Sequence, residues 1–367
     1  MPVLSHKQAE TLCMKMLLTT GLNHSDAAAL LDTMMVPSLR GHDSHGIRLV
    51  MQMANRYLNN PRATSEKVEV VSESDATAVL DLKFGSGAVL AAVRATEMAI
   101  AKAEKCGIST IALKNVVGLA SIGYFTELIV KRDMIGMMFT QSSHMVSPPW
   151  GGSTRLLGTS PIAVAIPARN EKPILIDMAT TAIASRALGP LIQQVIGKGE
   201  QLPPGLILDD EGMPTTDPTK YQGQGTAGSM ANMSNNAKGY SVQLLAEILG
   251  GLLTGGEPNY ESPFAPGGGM VPGRRLTNGS LILAINVAFF TDVNTFKDRV
   301  DERIRMIKGS KKAKGFDEIL LPGERGFKVE AKRRKEGIPF TDADWQSFIK
   351  AAQQLKVDVD EIMKTAA

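Results

Sequence analysis

Cysteine is nearly missing: Cys13 and Cys106 are the only two in 367 residues, too isolated for a disulfide framework or a thiolate metal cluster. Histidine is scarce as well, five in all, and no His-rich or Cys-rich segment supplies the ligand spacing of a metal site. His42 and His45 lie three apart, but a metal would need a further ligand, so no metal is expected. No run of about 18 apolar residues exists to span a bilayer. The start, Met1-Pro2-Val3-Leu4-Ser5-His6-Lys7, lacks the basic-then-apolar order of a secretory signal, and a soluble, cytoplasmic chain is the expectation. Charge of one sign is also lacking. Forty Lys and Arg against 37 Asp and Glu leave +3, too small and too mixed for a nucleic-acid footprint. Finally, no Gly-x-Gly-x-x-Gly follows an early strand. Gly85-Ser86-Gly87 is followed by Leu90 where a third glycine would stand, so the Rossmann fingerprint is absent. Gly267-Gly268-Gly269 lies in a Pro-rich stretch and reads as flexible backbone.

What is present alternates between helical and strand-like patterns, which points to an α/β chain. Ser5 and Gln8 have capping-box spacing ahead of Ala9, Leu12, Cys13, Met16 and Leu17, a helical repeat. Asn23 or Ser25 opens a second helix, and a third follows Ile47. Val68–Val71 and Ala76–Leu82 read as paired strands, Ala88–Cys106 as a helix closed by Gly107, and Ser109–Leu113 as a strand. A helix near 121–132 and a strand at 134–140 would complete a β–α–β-like unit. Further strands are expected at 162–167, 173–177 and 281–288, with helices at 240–253, 292–308 and 342–355. Residues 197–236 read as a connection, and 255–275 as a Gly/Pro-rich excursion. The domain expectation is a helical segment 1–75 packed with helices of 290–367, around a cofactor-binding domain 76–289.

One stretch concentrates the chemistry. Arg40-Gly41-His42-Asp43-Ser44-His45-Gly46-Ile47-Arg48 holds two imidazoles, a carboxylate, a hydroxyl and two guanidinium groups. His45 titrates near neutrality and suits proton transfer. Ser44 can hydrogen-bond a substrate oxygen, and Arg48 carries the fork that grips a carboxylate. The plainer reading makes Asp43 a helix cap and the arginines surface pairs. Asp177-Met178-Ala179-Thr180-Thr181 ends a strand, and Thr180 or Thr181 would cap a helix whose amides suit an anion; an ordinary strand-to-helix turn explains that spacing equally well. Lys238-Gly239, opening an apolar helix, is either a phosphate contact or a solvated lysine.

The same stretch resembles the signature of the malate/L-lactate dehydrogenase family, which includes ureidoglycolate dehydrogenase, diketogulonate reductase and piperideine-carboxylate reductase. The likeness continues in family order through Pro149-Trp150-Gly151-Gly152, Gly158-Thr159-Ser160-Pro161, Asp177-Met178-Ala179-Thr180, Asp210-Glu211-Gly212-Met213-Pro214-Thr215, Lys238-Gly239-Tyr240 and Pro322-Gly323-Glu324. The resemblance implies a non-Rossmann NAD(P)-binding fold with a mixed, largely antiparallel sheet and separate helical segments on the substrate side, in a homodimer. It implies hydride transfer between NAD or NADP and a small 2-oxo or 2-hydroxy acid. A cyclic imino-acid reductase is one alternative, and a cofactor-binding homologue with little catalysis is another. Carried over, His45 and Ser44 are catalytic, while Arg48 and Thr159 hold the substrate. Ser142, Asp177, Met178, Ala179, Lys238, Gly323 and Glu324 meet the cofactor.

The chain departs from the family in one place. Where relatives commonly have Asn-His-x-Gly ahead of Gly-Tyr, this chain has Val117-Gly118-Leu119-Ala120, so the family histidine becomes Gly118. Gln141 stands where Asn is usual. His144, two residues after Ser142, is an imidazole that another strand end would bring to the same cavity.

Overall fold

The first helix forms where its cap is strongest. Ser5 Oγ accepts from the Gln8 amide and Gln8 Oε1 accepts from the Ser5 amide, a complete capping box. In the computed structural model, residues 2–58, 68–83, 87–116, 118–142, 144–221, 228–255, 278–359, 361 and 363 are described. The excursion expected at 255–275 lies almost wholly outside them, as do Gly85 and Ser86.

A short strand β1 (Val3–Leu4) leads into α1 (His6–Leu18), α2 (His24–Leu39), two 3₁₀ turns over 43–49, and α3 (Val50–Leu58). Then come β2 (Glu69–Glu73), β3 (Thr77–Asp81), α4 (Ala88–Cys106), β4 (Ile108–Val116), α5 (Gly123–Val130), β5 (Met134–Thr140), β6 (Ile162–Ile166) and β7 (Ile174–Met178). Helix α6 (Ser185–Lys198) precedes three two-residue strands, β8 (Ile207–Leu208), β9 (Pro214–Thr215) and β10 (Ser229–Met230). Helix α7 (Ala237–Glu247) runs into a π turn, and β11 (Asn278–Asn286), α8 (Val293–Lys308), α9 (Glu324–Glu336), β12 (Ile338–Pro339) and α10 (Asp342–Gln354) follow.

The main sheet has seven strands in the order β2-β3-β4-β11-β5-β6-β7. Only β3 and β4 pair in parallel, across the α4 crossover; the other five pairings are antiparallel. The expected mixed, largely antiparallel sheet is therefore what forms. The expected β–α–β unit at 109–140 differs in one respect. β4 and β5 are not neighbours, because β11 inserts between them and pairs with both. An apolar nine-residue strand arriving late in the chain takes the central, doubly buried position, where its Ser280–Ala284 run suits burial on both faces.

One sheet face packs against α1–α5 and α10 in a core that includes Leu12, Met16, Leu30, Met34, Phe125, Phe340 and Ile111. On the other face Ala112, Phe139, Ile162 and Leu281 pack with Ala246 of α7. A separate small cluster gathers Val146, Leu188, Ile192, Val195, Ile207 and Met230 around α6. β1 pairs with β12, which fastens α1 to the segment between α9 and α10. Helix α9, expected from sequence only as the turn at 322–324 and a basic run, is a full helix; its charged face hides the pattern.

Candidate active site

The stretch 40–48 is held in place by its neighbours. Gly46 crosses the end of α2 so closely that a Cβ there would lie 2.0 Å from Ser38 Oγ, and that hydroxyl accepts from the Ile47 amide at 2.8 Å. Only glycine fits. Asp43 accepts two bonds from Arg333 of α9, at 2.5 and 3.0 Å. Arg40 reaches Glu127 through both Nη atoms, at 2.7 and 2.8 Å, and Glu330 through Nε at 3.0 Å. Its guanidinium also lies 4.8 Å from the Phe327 ring centroid. Arg40 thus ties the stretch to α5 and α9 together.

Ser44 and His45, the catalytic candidates, are adjacent and joined: Ser44 Oγ lies 2.9 Å from His45 Nδ1. In the protonated ring Nδ1–H donates to Ser44 Oγ, and the Nε2 proton is the one left to meet a substrate. Burial pushes the His45 pKa below its ordinary value, and the charges of Arg186 and His42 add to this against the opposing pull of Asp177. His144 is lowered in the same way, by burial and by Arg186. Arg186 donates to the Ser44 carbonyl at 2.9 Å, so one guanidinium on α6 overlooks both imidazoles.

Arg48 is committed elsewhere. Its Nη1 pairs with Asp344 at 2.6 Å, its Nη2 donates to the Pro339 carbonyl at 3.2 Å, and the Phe340 ring lies 5.5 Å away. It locks the stretch to α10. Thr159 contributes its carbonyl, which accepts from the Thr180 amide at 2.8 Å and the Thr180 hydroxyl at 3.0 Å. Thr180 therefore does not cap a helix: α6 begins at Ser185, with Ala184 at its N-cap. The Gly158–Pro161 motif is pinned from beneath by the buried Glu247, which accepts from the Gly158 amide at 2.8 Å and Ser160 Oγ at 2.6 Å. Burial raises the Glu247 pKa against those bonds.

Next to the stretch lies a cavity of about 300 Å³. Asp177, Ser121 and Gly123 form one wall, and Pro322, Gly323, Arg325 and Gly326 another; His42 and Arg40 also line it. Asp177 accepts from Ser121 Oγ at 2.8 Å and from the Gly123 amide at 2.9 Å, which fixes its carboxylate at the rim. Of the cofactor candidates, Asp177 and Gly323 line this cavity. Ser142, Met178, Ala179, Lys238 and Glu324 are not among its lining residues. Glu324 instead turns back to accept from the Leu321 amide at 2.9 Å and to pair with Lys308. Lys238 is exposed in the first turn of α7, and the Ser142 amide donates to Ser160 Oγ at 3.2 Å. Sequence reasoning missed Arg186 and Arg325, because single charged residues carry no local pattern, and it weighed His42 only as a metal ligand. Among the described residues no group of three or more His, Cys, Asp or Glu could hold a metal, and no helix is long and apolar enough to cross a membrane.

A mixed sheet that shows no glycine-rich phosphate loop among the described residues, bearing a Ser–His pair beside a cleft, fits the non-Rossmann class of dinucleotide-dependent oxidoreductases. The malate/L-lactate dehydrogenase profile matches residues 4–348. The chain is 30% identical to the malate/(S)-sulfolactate dehydrogenase of Methanothermus fervidus, covering 97% of this chain and 99% of that protein. It is 30% identical to hydroxycarboxylate dehydrogenase B of Escherichia coli K12, over 91% and 89% of the two chains. Sulfolactate dehydrogenase from Methanocaldococcus jannaschii superposes with a TM-score of 0.84 at 31% identity, over 98% and 99%. The chain belongs to the malate/L-lactate dehydrogenase family, and with it to the NAD(P)-dependent oxidoreductases of small hydroxy and oxo acids.

Proposed function

We propose that this protein transfers a hydride between a nicotinamide dinucleotide and a small 2-oxo or 2-hydroxy carboxylic acid, with His45 as the group that gives and takes the proton. The observation that carries this reading is the Ser44 Oγ–His45 Nδ1 contact of 2.9 Å beside the cleft walled by Asp177 and Gly323. The donor set suits a dinucleotide. Arg325 brings positive charge toward phosphate, Asp177 offers a carboxylate to hydroxyl or amide groups, and Val36, Leu175 and Tyr124 supply apolar surface for rings. Asp177, with Met178 and Ala179 continuing the same strand end, and Gly323 are assigned to hold it together with Arg325. Ser142, Lys238 and Glu324 are assigned to it on family resemblance. The cofactor, when bound, supplies the hydride. His45 gives its Nε2 proton to the oxygen that becomes an alkoxide, and Ser44 steadies the ring from Nδ1.

The domain arrangement of this reading, expected as 1–75 packed with helices of 290–367, sets residues 2–58 with α9 and α10 against the sheet domain, whereas β2 (Glu69–Glu73) belongs to the sheet itself. It is supported by the β1–β12 pairing, by Asp43–Arg333 and by Arg48–Asp344. Helix α8 sits apart from that group, since its Asp301 accepts from the amides of Arg169, Asn170 and Glu171. A cytoplasmic homodimer belongs to the same reading. The dimer part of it is supported by the exposed apolar residues Leu245, Ile248, Leu252 and Leu253 at the end of α7 and through the π turn.

The test is a fluorescence titration with NADH and NADPH, followed by turnover assays on 2-oxo acids and cyclic imino acids. Turnover of 2-oxo acids that His45→Ala abolishes, at nearly unchanged dinucleotide affinity, is the expected result. Dinucleotide binding without turnover of any 2-oxo acid would refute it.

A further inference from the structure

We propose that Arg186 and Arg56 together form the anion-holding wall of the site, and that they receive the substrate carboxylate beside His45. This rests on the hydride-transfer reading for the identity of the anion. The site itself is built from three independent arrangements.

The first is the engagement of Arg48 with Asp344 and the Pro339 carbonyl. A guanidinium already neutralised by a carboxylate at 2.6 Å is a poor holder of a second one. The second is the position of Arg186. Its Nη1 donates to the Ser44 carbonyl at 2.9 Å, one residue from the imidazole that moves the proton. Among the described residues no carboxylate pairs with it. It also sits in the first turn of α6, whose N-cap Ala184 offers no side-chain cap. The N-terminal end of a helix carries partial positive charge and attracts anions, not cations. A lone arginine there adds positive charge to a positive helix end, an arrangement that an incoming anion relieves.

The third is the room left by Gly118. Its φ is +62°, and a Cβ built there would lie 3.0 Å from Arg56 Nη2 and 3.3 Å from Nη1. Arg56 Nη1 donates to the Gly118 carbonyl at 3.3 Å. The Arg56 guanidinium therefore occupies the space that a side chain at position 118 would take. The two arginines lie within electrostatic reach of each other: after burial, the Arg186 charge contributes to holding the Arg56 pKa below its ordinary value. Two like-charged guanidinium groups within reach of each other, one bonded to the Ser44 carbonyl and the other to the Gly118 carbonyl, favour an anion between them. Arg56 stays charged throughout the working pH range, so a residue that could exchange a proton is replaced at this wall by one that only binds. Binding and proton transfer are then divided between the arginines and His45.

The experiment reads anion binding and hydride transfer separately. Oxalate is titrated calorimetrically into the protein with and without NADH, and NADH is titrated by fluorescence; pyruvate reduction gives kcat and KM. Arg186→Ala is expected to raise the oxalate Kd and the pyruvate KM about 10²-fold, and Arg56→Ala roughly tenfold, at unchanged NADH affinity. Arg186→Lys should recover part of the loss but not the two-pronged grip. Thermal melts of each variant show whether the fold is retained. Oxalate binding that leaves the Arg variants within twofold of wild type overturns the proposal, as does a loss carried by Arg48→Ala instead or a failure of oxalate to bind at all. If NADH does not bind while Arg186-dependent oxalate binding persists, the hydride-transfer reading falls and the anion site stands.

Discussion

Replacing Arg40 by methionine keeps the apolar stem of the side chain and removes its charge. In the folded chain that guanidinium faces two carboxylates, Glu127 at 2.7 Å and Glu330 at 3.0 Å, and the three side chains are 15–17% exposed. Their loss of solvent makes the consequence larger than for a surface pair. Taking away the cation leaves Glu127 and Glu330 without it across the seam between α5 and α9. Arg334 then remains on Glu330, at 2.7 Å. Breaking a buried ion pair costs about 3–5 kcal/mol and an exposed one under about 1 kcal/mol; this partly wet triad belongs between them, at about 2–4 kcal/mol. For a chain of 367 residues that corresponds to a drop in Tm of about 3–5 °C, using the usual unfolding entropy per residue. Differential scanning calorimetry at pH 7 measures it. The double variant Arg40→Met/Glu127→Gln should recover part of the loss, because one of the stranded charges goes too. The sign with pH follows from Glu330. Burial raises its pKa, but hydrogen bonds from Arg334 and Arg40 outweigh burial and hold it below the ordinary value. Its stabilisation is therefore present above the unfolded value of about 4.3 and lost as pH falls through the folded one. Single and double variants with equal melting temperatures, both within about 1 °C of wild type, would refute the reasoning.

Other perturbations give separate checks. With the His45 pKa depressed, reduction needs the protonated ring, so kcat/KM for a 2-oxo acid should fall as pH rises through a value below 6.5, the ordinary one. Alcohol oxidation should show the opposite limb, and Arg186→Gln should move both limbs to higher pH; limbs that stay in place would separate Arg186 from His45. Gly46→Ala forces a Cβ to within 2.0 Å of Ser38 Oγ, and overpacking of about 1–3 kcal/mol should appear as a lowered urea midpoint together with lost turnover. Asp177→Asn keeps the shape but weakens the bonds from Ser121 and Gly123; a dinucleotide Kd raised roughly tenfold is expected by fluorescence titration, and an unaltered Kd would take Asp177 out of the cleft.

Elements whose chemistry is local are legible in the sequence. The capping box at Ser5 and Gln8, the Asn23 cap, the long Ala-rich α4 and the strand 134–140 all depend on neighbours within a few residues. What is not legible depends on distant partners. Helix α9 has a polar, basic face and reads as solvated chain until Arg333 meets Asp43 and Glu330 meets Arg40. Residues 197–236 read as connection because β8, β9 and β10 are two residues each, too short for a period to show. At the site, the Ser44–His45 pair can be picked out by type, since those residues are adjacent. Arg186 cannot, for it reaches Ser44 from 142 positions away. Arg48 shows the converse: a residue well suited to one role by type is drawn into another by Asp344, which no local spacing reveals.

The placement of β11 has a consequence for how the chain is made. Its two neighbours, β4 and β5, are complete by residue 140, yet the strand that joins them begins at residue 278. During synthesis the two halves of the sheet must therefore wait with facing edges unpaired while more than a hundred further residues emerge. At roughly 5–20 residues per second that is an interval of many seconds, long compared with the time a hairpin needs to form. Open strand edges in such an intermediate invite pairing with other chains. Insertion of this one apolar strand is then expected to be a slow step of folding, and changing the translation speed between residues 140 and 286 should change the yield of native protein.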